Sequence, residues 1–178
     1  MQRYWKWFFC LFVLSGFLGS CIHSPRTARE SLAGMESTLE VLPEAARSLK
    51  DVSLPACVQN LHDFEIAYVT RVIDGDSIEV KVNGREEQVR YIGINTPEYY
   101  SDERDEAEEA TRLNRGLVEG RYVLLIRDIS ERDKFDRLLR YVFTEDEFVN
   151  YELVKTGAAE AKEYPPDTAC HVVFRQAE

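Results

Sequence analysis

Histidine is scarce: the 178-residue chain has three, His23, His62 and His171. None is spaced with cysteine pairs as a zinc site requires, so a zinc centre is excluded. Basic residues are outnumbered, 22 against 32 acidic, for a net charge of −10. That balance lacks the basic footprint of a tight, non-specific nucleic-acid binder. Any phosphate contact therefore has to come from a local cluster of arginines, because the overall charge steers polyanions away. A long hydrophobic run is missing too: the apolar stretch from Trp7 to Leu18 is too short to span a bilayer comfortably.

What that short run does fit is a targeting segment. Arg3 and Lys6 precede it, and small residues follow it. Leu18-Gly19-Ser20-Cys21 resembles a bacterial lipobox, in which residues 1–20 are removed and the lipidated Cys21 becomes the mature N-terminus. An ordinary signal peptide and an uncleaved anchor are the alternatives. A diacylglyceryl group supplies the two chains that stable anchoring needs. Loss of Arg3 and Lys6 would leave 20 basic and 32 acidic residues, a net charge of −12. Residues 21–63 read as a tether. Leu32, Met35, Leu39 and Leu42 fall at helical spacing before Pro43 interrupts. As a coil, roughly 35 residues would span about 30 Å.

Four cysteines are present. Cys10 goes with the signal and Cys21 to the lipid, which leaves Cys57 and Cys170. In an exported chain these two either pair or remain as buried thiols. A pair would close a loop of more than about a hundred residues, stabilising by about 4–5 kcal/mol in the chain-entropy account.

The folded part is expected over residues 64–178. Ile66–Ile73 reads as a strand. Ser77–Val82 and Glu87–Ile94 flank Asn83-Gly84, a hairpin signal, because a type I′ turn needs positive φ at both central residues. Asp102–Val118 is helical, with Ala107, Ala110, Leu113 and Leu117 on one face and Gly120 after its end. Tyr122–Ile126 and Leu138–Phe143 are strands, and Val149–Thr156 is a helix stopped by Gly157. After the Pro165-Pro166-Asp167 break, Thr168 is a candidate cap for a last helix from Ala169. The fold class expected is α+β, mainly β: a five-stranded OB-fold β-barrel with two to three helices.

The hairpin brings its outer ends together, and with them Asp76, Arg90, Asn95 and Glu98. Asp76, the Asn95 amide oxygen and the Thr96 carbonyl form an oxygen set suited to a hard cation, although Asp-Gly-Asp is also ordinary turn chemistry. Arg90 falls on the face of Ile92 and Ile94, a costly place for a guanidinium unless an anion meets it. Glu98 is either a solvated loop residue or a carboxylate able to orient or deprotonate a water. Arg137 closes Asp133-Lys134-Phe135-Asp136-Arg137.

VIDGDS, RYIGINTPE and DKFDR, in that order, resemble the thermonuclease (staphylococcal nuclease-like) family from about Ala67 onward. The resemblance implies the same barrel, calcium as cofactor, Arg90 and Arg137 as phosphate clamps, and Glu98 as the residue that handles the attacking water. Lys134 is a candidate for a second phosphate, and Phe135 and Tyr164 are either stacking residues or packing residues. Asn95 stands where the family usually has Asp, which implies weaker calcium binding. Asp136 stands where Gly is common. The last helix, ending at Glu178, is shorter than the family's.

The resulting expectation is a calcium-dependent, lipid-anchored, monomeric nuclease on the bacterial cell envelope. It acts on single-stranded or frayed DNA and RNA with little sequence preference, and the family implies 3′-phosphate ends. A catalytically inactive OB-fold binding module is the alternative, and an acidic envelope protein with a cationic partner is a third reading.

Overall fold

The computed structural model describes residues 43–61, 63–99, 102 and 104–178. The expected signal segment, Cys21 and the tether through residue 42 lie outside the described residues. Among those described, no helix is long and apolar enough to cross a membrane.

Among the described residues, seven strands and three α-helices follow a short 3₁₀ helix at Glu44–Asp51. The strands are β1 (Phe64–Asp74), β2 (Ser77–Val82), β3 (Arg85–Tyr91), β4 (Ile94–Asn95), β5 (Tyr122–Ile126), β6 (Leu138–Phe143) and β7 (Glu160–Ala161). The helices are α1 (Arg104–Val118), α2 (Val149–Lys155) and α3 (His171–Arg175). Five strands close a barrel in the order β1-β2-β3-β6-β5, with β3 and β6 parallel, while β4 and β7 form a separate pair. The expected α+β barrel is the architecture observed. Its interior is the inward-facing half of each strand, including Val69, Ile78, Val80, Val89, Leu125 and Val142, all fully buried.

The Asn83-Gly84 turn has φ of 49° and 76°, both positive as type I′ requires. The second hairpin strand is shorter than the sequence suggests. It ends at Tyr91, and Gly93 at φ 78° breaks it from β4. A Cβ on Gly93 would lie 2.6 Å from the Phe174 ring, so only glycine lets α3 pack this closely. Two register shifts in β1, at Val69/Arg71 and Val72/Asp74, interrupt its pairing with β2 and re-aim the end that enters the Asp74-Gly75-Asp76 turn.

Three expectations need correction. The segment assigned to the tether packs on the barrel from its 3₁₀ helix onward, with Ala46, Leu49 and Val58 buried. On α1 the inner face is Ala107, Ala110, Asn114 and Val118; Leu113 and Leu117 are only partly buried. Asn114 tolerates full burial because its amide oxygen accepts from the Tyr91 hydroxyl and its amide nitrogen donates to the Asp74 carbonyl, each at 2.9 Å. Thr168 does not cap the last helix. That helix starts at His171 after Cys170, and the Ala169 N–H goes to the Asp128 carboxylate at 2.9 Å.

Short as α3 is, it is well held. Phe174 is fully buried among Tyr141 and Phe148, and a disulfide joins Cys170 to Cys57 of the N-terminal segment, 113 residues apart, with Cα atoms at 5.1 Å.

Candidate active site

One open cleft of about 1610 Å³ lies on the barrel where the β1–β2 turn, β4, α1, the β5–β6 loop and the Pro165-Pro166 turn meet. Asp76, Arg90, Asn95, Thr96, Glu98, Lys134, Phe135, Arg137 and Tyr164 all line it. The structure thus gathers residues that are distant along the chain.

Local chemistry explains their placement. Gly75 runs so close beneath its neighbours that a Cβ there would meet Thr96 at 2.7 Å and Ala110 at 2.8 Å. That close approach lets the buried Asp76 carboxylate receive the Thr96 N–H at 2.9 Å and the Thr96 hydroxyl at 3.1 Å. The Asp74 carboxylate in turn accepts the Asp76 N–H at 3.1 Å. Ser77 pairs with Arg90 across the β2–β3 hairpin, and this register sets the guanidinium beside Asp76. Arg90 Nη2 lies 3.1 Å from Asp76 Oδ2 and donates to Asn95 Oδ1 at 3.3 Å, while Nη1 donates to the Tyr91 carbonyl at 2.7 Å. This offsets the cost of a charge on an apolar face: the guanidinium is mostly buried, and both of its terminal nitrogens have oxygen partners.

Arg137 arrives from the β5–β6 loop. Asp133 holds it, with Oδ2 accepting from Nε at 2.8 Å and lying 2.7 Å from Nη2 in an ion pair. The other oxygen, Oδ1, accepts the backbone N–H groups of Phe135 and Arg137, at 2.9 and 3.0 Å. Asp136 takes the positive φ, 67°, that closes this turn. Arg137 Nη1 reaches Ser77 Oγ at 3.4 Å, and the Ser77 hydroxyl is 3.2 Å from Asp76 Oδ1. A continuous row therefore runs Asn95, Arg90, Asp76, Ser77, Arg137, Asp133. Asp133 and Ser77 were not among the expected site residues. The sequence signal for Asp133 is its place at the head of the DKFDR motif, four residues before Arg137.

The remaining expected residues sit around this row. Glu98 is exposed on the cleft wall. Lys134 Nζ lies 4.8 Å from the Phe135 ring centre, and Phe135 is 67% exposed, so it faces the cleft and not the core. The Tyr164 hydroxyl donates to Asn95 Oδ1 at 3.4 Å.

The donor set suits a hard cation. Burial pushes the Asp76 carboxyl above the usual aspartate range, and the charge of Asp74 adds to the rise; Arg90 and Thr96 offset only part of it. Charges also tilt negative: Asp74, Asp76, Glu98 and Asp133 face Arg90, Arg137 and Lys134. Among the described residues no group of three or more His, Cys, Asp and Glu is placed to hold a metal ion. The fit is instead to a mixed set, the Asp76 carboxylate with the Asn95 amide oxygen and Thr96 carbonyl, of the kind calcium accepts with water completing the shell. Arg90 now bridges two of these ligands, so it has to turn from Asn95 for the set to close on an ion.

Comparison with known proteins agrees with this geometry. The profile described as "Staphylococcal nuclease homologue" matches residues 88–178, which include Arg90, Glu98 and Arg137; Asp76 lies ahead of it. The chain is similar to the thermonuclease of Staphylococcus intermedius, 36% identical over 113 residues, covering 62% of this chain and 67% of that protein. Similarity extends to the thermonuclease of Staphylococcus hyicus, 36% over 102 residues (56% and 60%). It extends also to endonuclease YncB of Bacillus subtilis, 37% over 110 residues (59% and 52%). The chain thus spans between about half and two thirds of the length of these curated relatives.

Proposed function

Because the chain belongs to the staphylococcal nuclease homologue family, we propose that it is a calcium-dependent phosphodiesterase acting on single-stranded or frayed DNA and RNA with little sequence preference, leaving 3′-phosphate ends. The observation that carries this reading is the convergence of Arg90, Glu98 and Arg137 on one cleft beside a buried carboxylate. A module that only binds has no need of all three.

Each residue has a task that its environment suits. Arg90 and Arg137 turn two guanidinium forks toward a phosphodiester, donating to its non-bridging oxygens and to the charge that grows on them as the phosphorus becomes five-coordinate. Asp133 and Asp76 hold those forks in place before substrate arrives, which limits reorganisation at the moment of reaction. Glu98, on the rigid exit from Pro97, orients a water for in-line attack or takes its proton. Asp76, Asn95 and Thr96 are the residues to hold calcium, which supplies further neutralisation of the phosphoryl charge when bound. Phe135 and Tyr164 offer aromatic faces to unpaired bases, and Lys134 a contact to a neighbouring phosphate.

The same proposal includes export, removal of residues 1–20 and lipid anchoring at Cys21, which would tether a monomeric enzyme to the cell envelope. Cys21→Ala should release the protein from membrane fractions; continued sedimentation with membranes contradicts the anchor. The nuclease reading is tested by digesting single-stranded DNA and RNA with added calcium and with a chelator. Cleavage that needs calcium and leaves 3′-phosphates is expected. Binding without cleavage would favour the inactive module, and chelator-resistant cleavage would remove calcium from the account.

A further inference from the structure

We propose that Tyr99 is a nucleobase-stacking residue, which gives the cleft a second aromatic subsite on its α1 wall, apart from Phe135 and Tyr164. This deepens the nuclease reading and rests on it. Six large hydrophobic side chains are exposed among the described residues, and three of them, Tyr99, Phe135 and Tyr164, line this one cleft. They come from three separate loops, so no shared local structure accounts for their gathering.

Phe135 shows what such a platform looks like here: an exposed ring with cations beside it, Lys134 Nζ at 4.8 Å and Arg137 Cζ at 5.5 Å. Tyr99 has the same construction. Arg104 Cζ stands 4.9 Å from its ring centre, and Arg104 Nη2 donates to its hydroxyl at 2.9 Å. Glu108 holds that guanidinium from the next turn of α1, at 3.1 Å. The ring is thus oriented through its cation and its hydroxyl while 44% of the residue stays open to solvent. Ordering a base against a ring already held costs less than ordering both.

Charge argues that this wall recognises a base and not a phosphate. The first turn of α1 carries Asp105 and Glu106, and the arginines of this helix near the cleft are paired: Arg104 with Glu108, Arg112 with Glu109 and Arg115 with Glu119. A phosphate brought here would meet carboxylates, whereas a π-face is indifferent to them. Tyr99 follows Glu98 directly, so a base stacked on it belongs to a nucleotide next to the reacting phosphate. Stacking of this kind tolerates any base and requires an unpaired strand.

The test uses the full chain in detergent. Its two tryptophans are Trp5 and Trp7, so in a Trp5→Phe/Trp7→Phe background Tyr99→Trp introduces a single indole. Glu98→Gln is added to prevent cleavage. Oligothymidylate is titrated in calcium while indole fluorescence and the anisotropy of a labelled oligonucleotide are followed. Tyr68→Trp, at an exposed tyrosine that does not line the cleft, is the control. We expect saturable quenching for Tyr99→Trp and none for Tyr68→Trp. Tyr99→Ala should weaken oligonucleotide binding by about 5- to 100-fold, with Tyr99→Phe within about twofold of the parent. The salt dependence should be unchanged, because no phosphate contact is lost. Binding by anisotropy without quenching at position 99 overturns the inference and leaves the nuclease reading standing. So does a Tyr99→Phe variant as weak as Tyr99→Ala, or a salt slope reduced by about one. Absence of any oligonucleotide binding defeats the nuclease reading and this inference with it.

Discussion

Asp133 offers the sharpest test of how the site is held. Replacing it with Asn keeps one oxygen for the Phe135 and Arg137 backbone N–H groups, but it places an NH₂ group where Nε and Nη2 of Arg137 now find a carboxylate oxygen at 2.8 and 2.7 Å. One charge-assisted hydrogen bond and the ion pair beside it are lost. Such bonds contribute roughly 1.5–3 kcal/mol when buried. Here the side chains are 25% and 16% exposed, so about 1–2 kcal/mol of stability should go. The larger effect is on rate. A guanidinium left with Ser77 at 3.4 Å and the Phe135 ring at 5.5 Å can wander by about 1 Å, which costs up to about 10²-fold. Initial rates on single-stranded DNA should show kcat down about 10- to 100-fold for Asp133→Asn, and by about 10³-fold or more for Arg137→Ala. In the Arg137→Ala background, Asp133→Asn should add almost nothing, because its effect runs through that side chain. Additive losses, or a kcat within twofold of wild type, would refute the positioning role.

Other perturbations follow from the same geometry. Reducing the Cys57–Cys170 bond opens a loop of 113 residues; the chain-entropy account gives about 5 kcal/mol, and a urea midpoint lowered by about 2 M should show it. A shift below about 0.5 M would mean that the N-terminal segment does not depend on its link to α3. Gly93→Ala combines φ 78° with a methyl 2.6 Å from the Phe174 ring; a loss of about 2–4 kcal/mol is expected, and a neutral result in denaturant titration would contradict the packing described. Asn95→Asp adds a second carboxylate beside Asp76 and should tighten calcium binding about tenfold or more; an unchanged calcium titration would show that Asn95 is not a ligand.

Much of this architecture was readable from residue order, for definite reasons. Asn83-Gly84 announces its hairpin because few other pairs tolerate two positive φ angles, and the strands announce themselves through alternation on a barrel with one dry face. The motif around Asp76, Arg90 and Glu98 is compact enough that one hairpin carries most of the site. What stayed hidden depends on partners far along the chain. Asn114 is polar and yet fully buried, because Tyr91 and the Asp74 carbonyl satisfy it across 23 and 40 residues. Periodicity gave that place on α1 to Leu113 and Leu117 instead. Arg140, 3% exposed inside β6, is held by Glu65 at 2.9 Å and Glu131 at 2.6 Å, a triad with no local signature. The early packing of Ala46, Leu49 and Val58 was likewise concealed by a composition that suits a tether.

The central claim is that two guanidinium forks and one carboxylate act together on a phosphodiester. It is tested most directly by the rate at which purified wild type, Arg137→Ala and Glu98→Gln digest single-stranded DNA at saturating calcium, with folding checked by their unfolding midpoints. The account predicts steady cleavage by wild type and a loss of about 10³-fold or more in each variant at near-native stability. Either variant cleaving at the wild-type rate would contradict it.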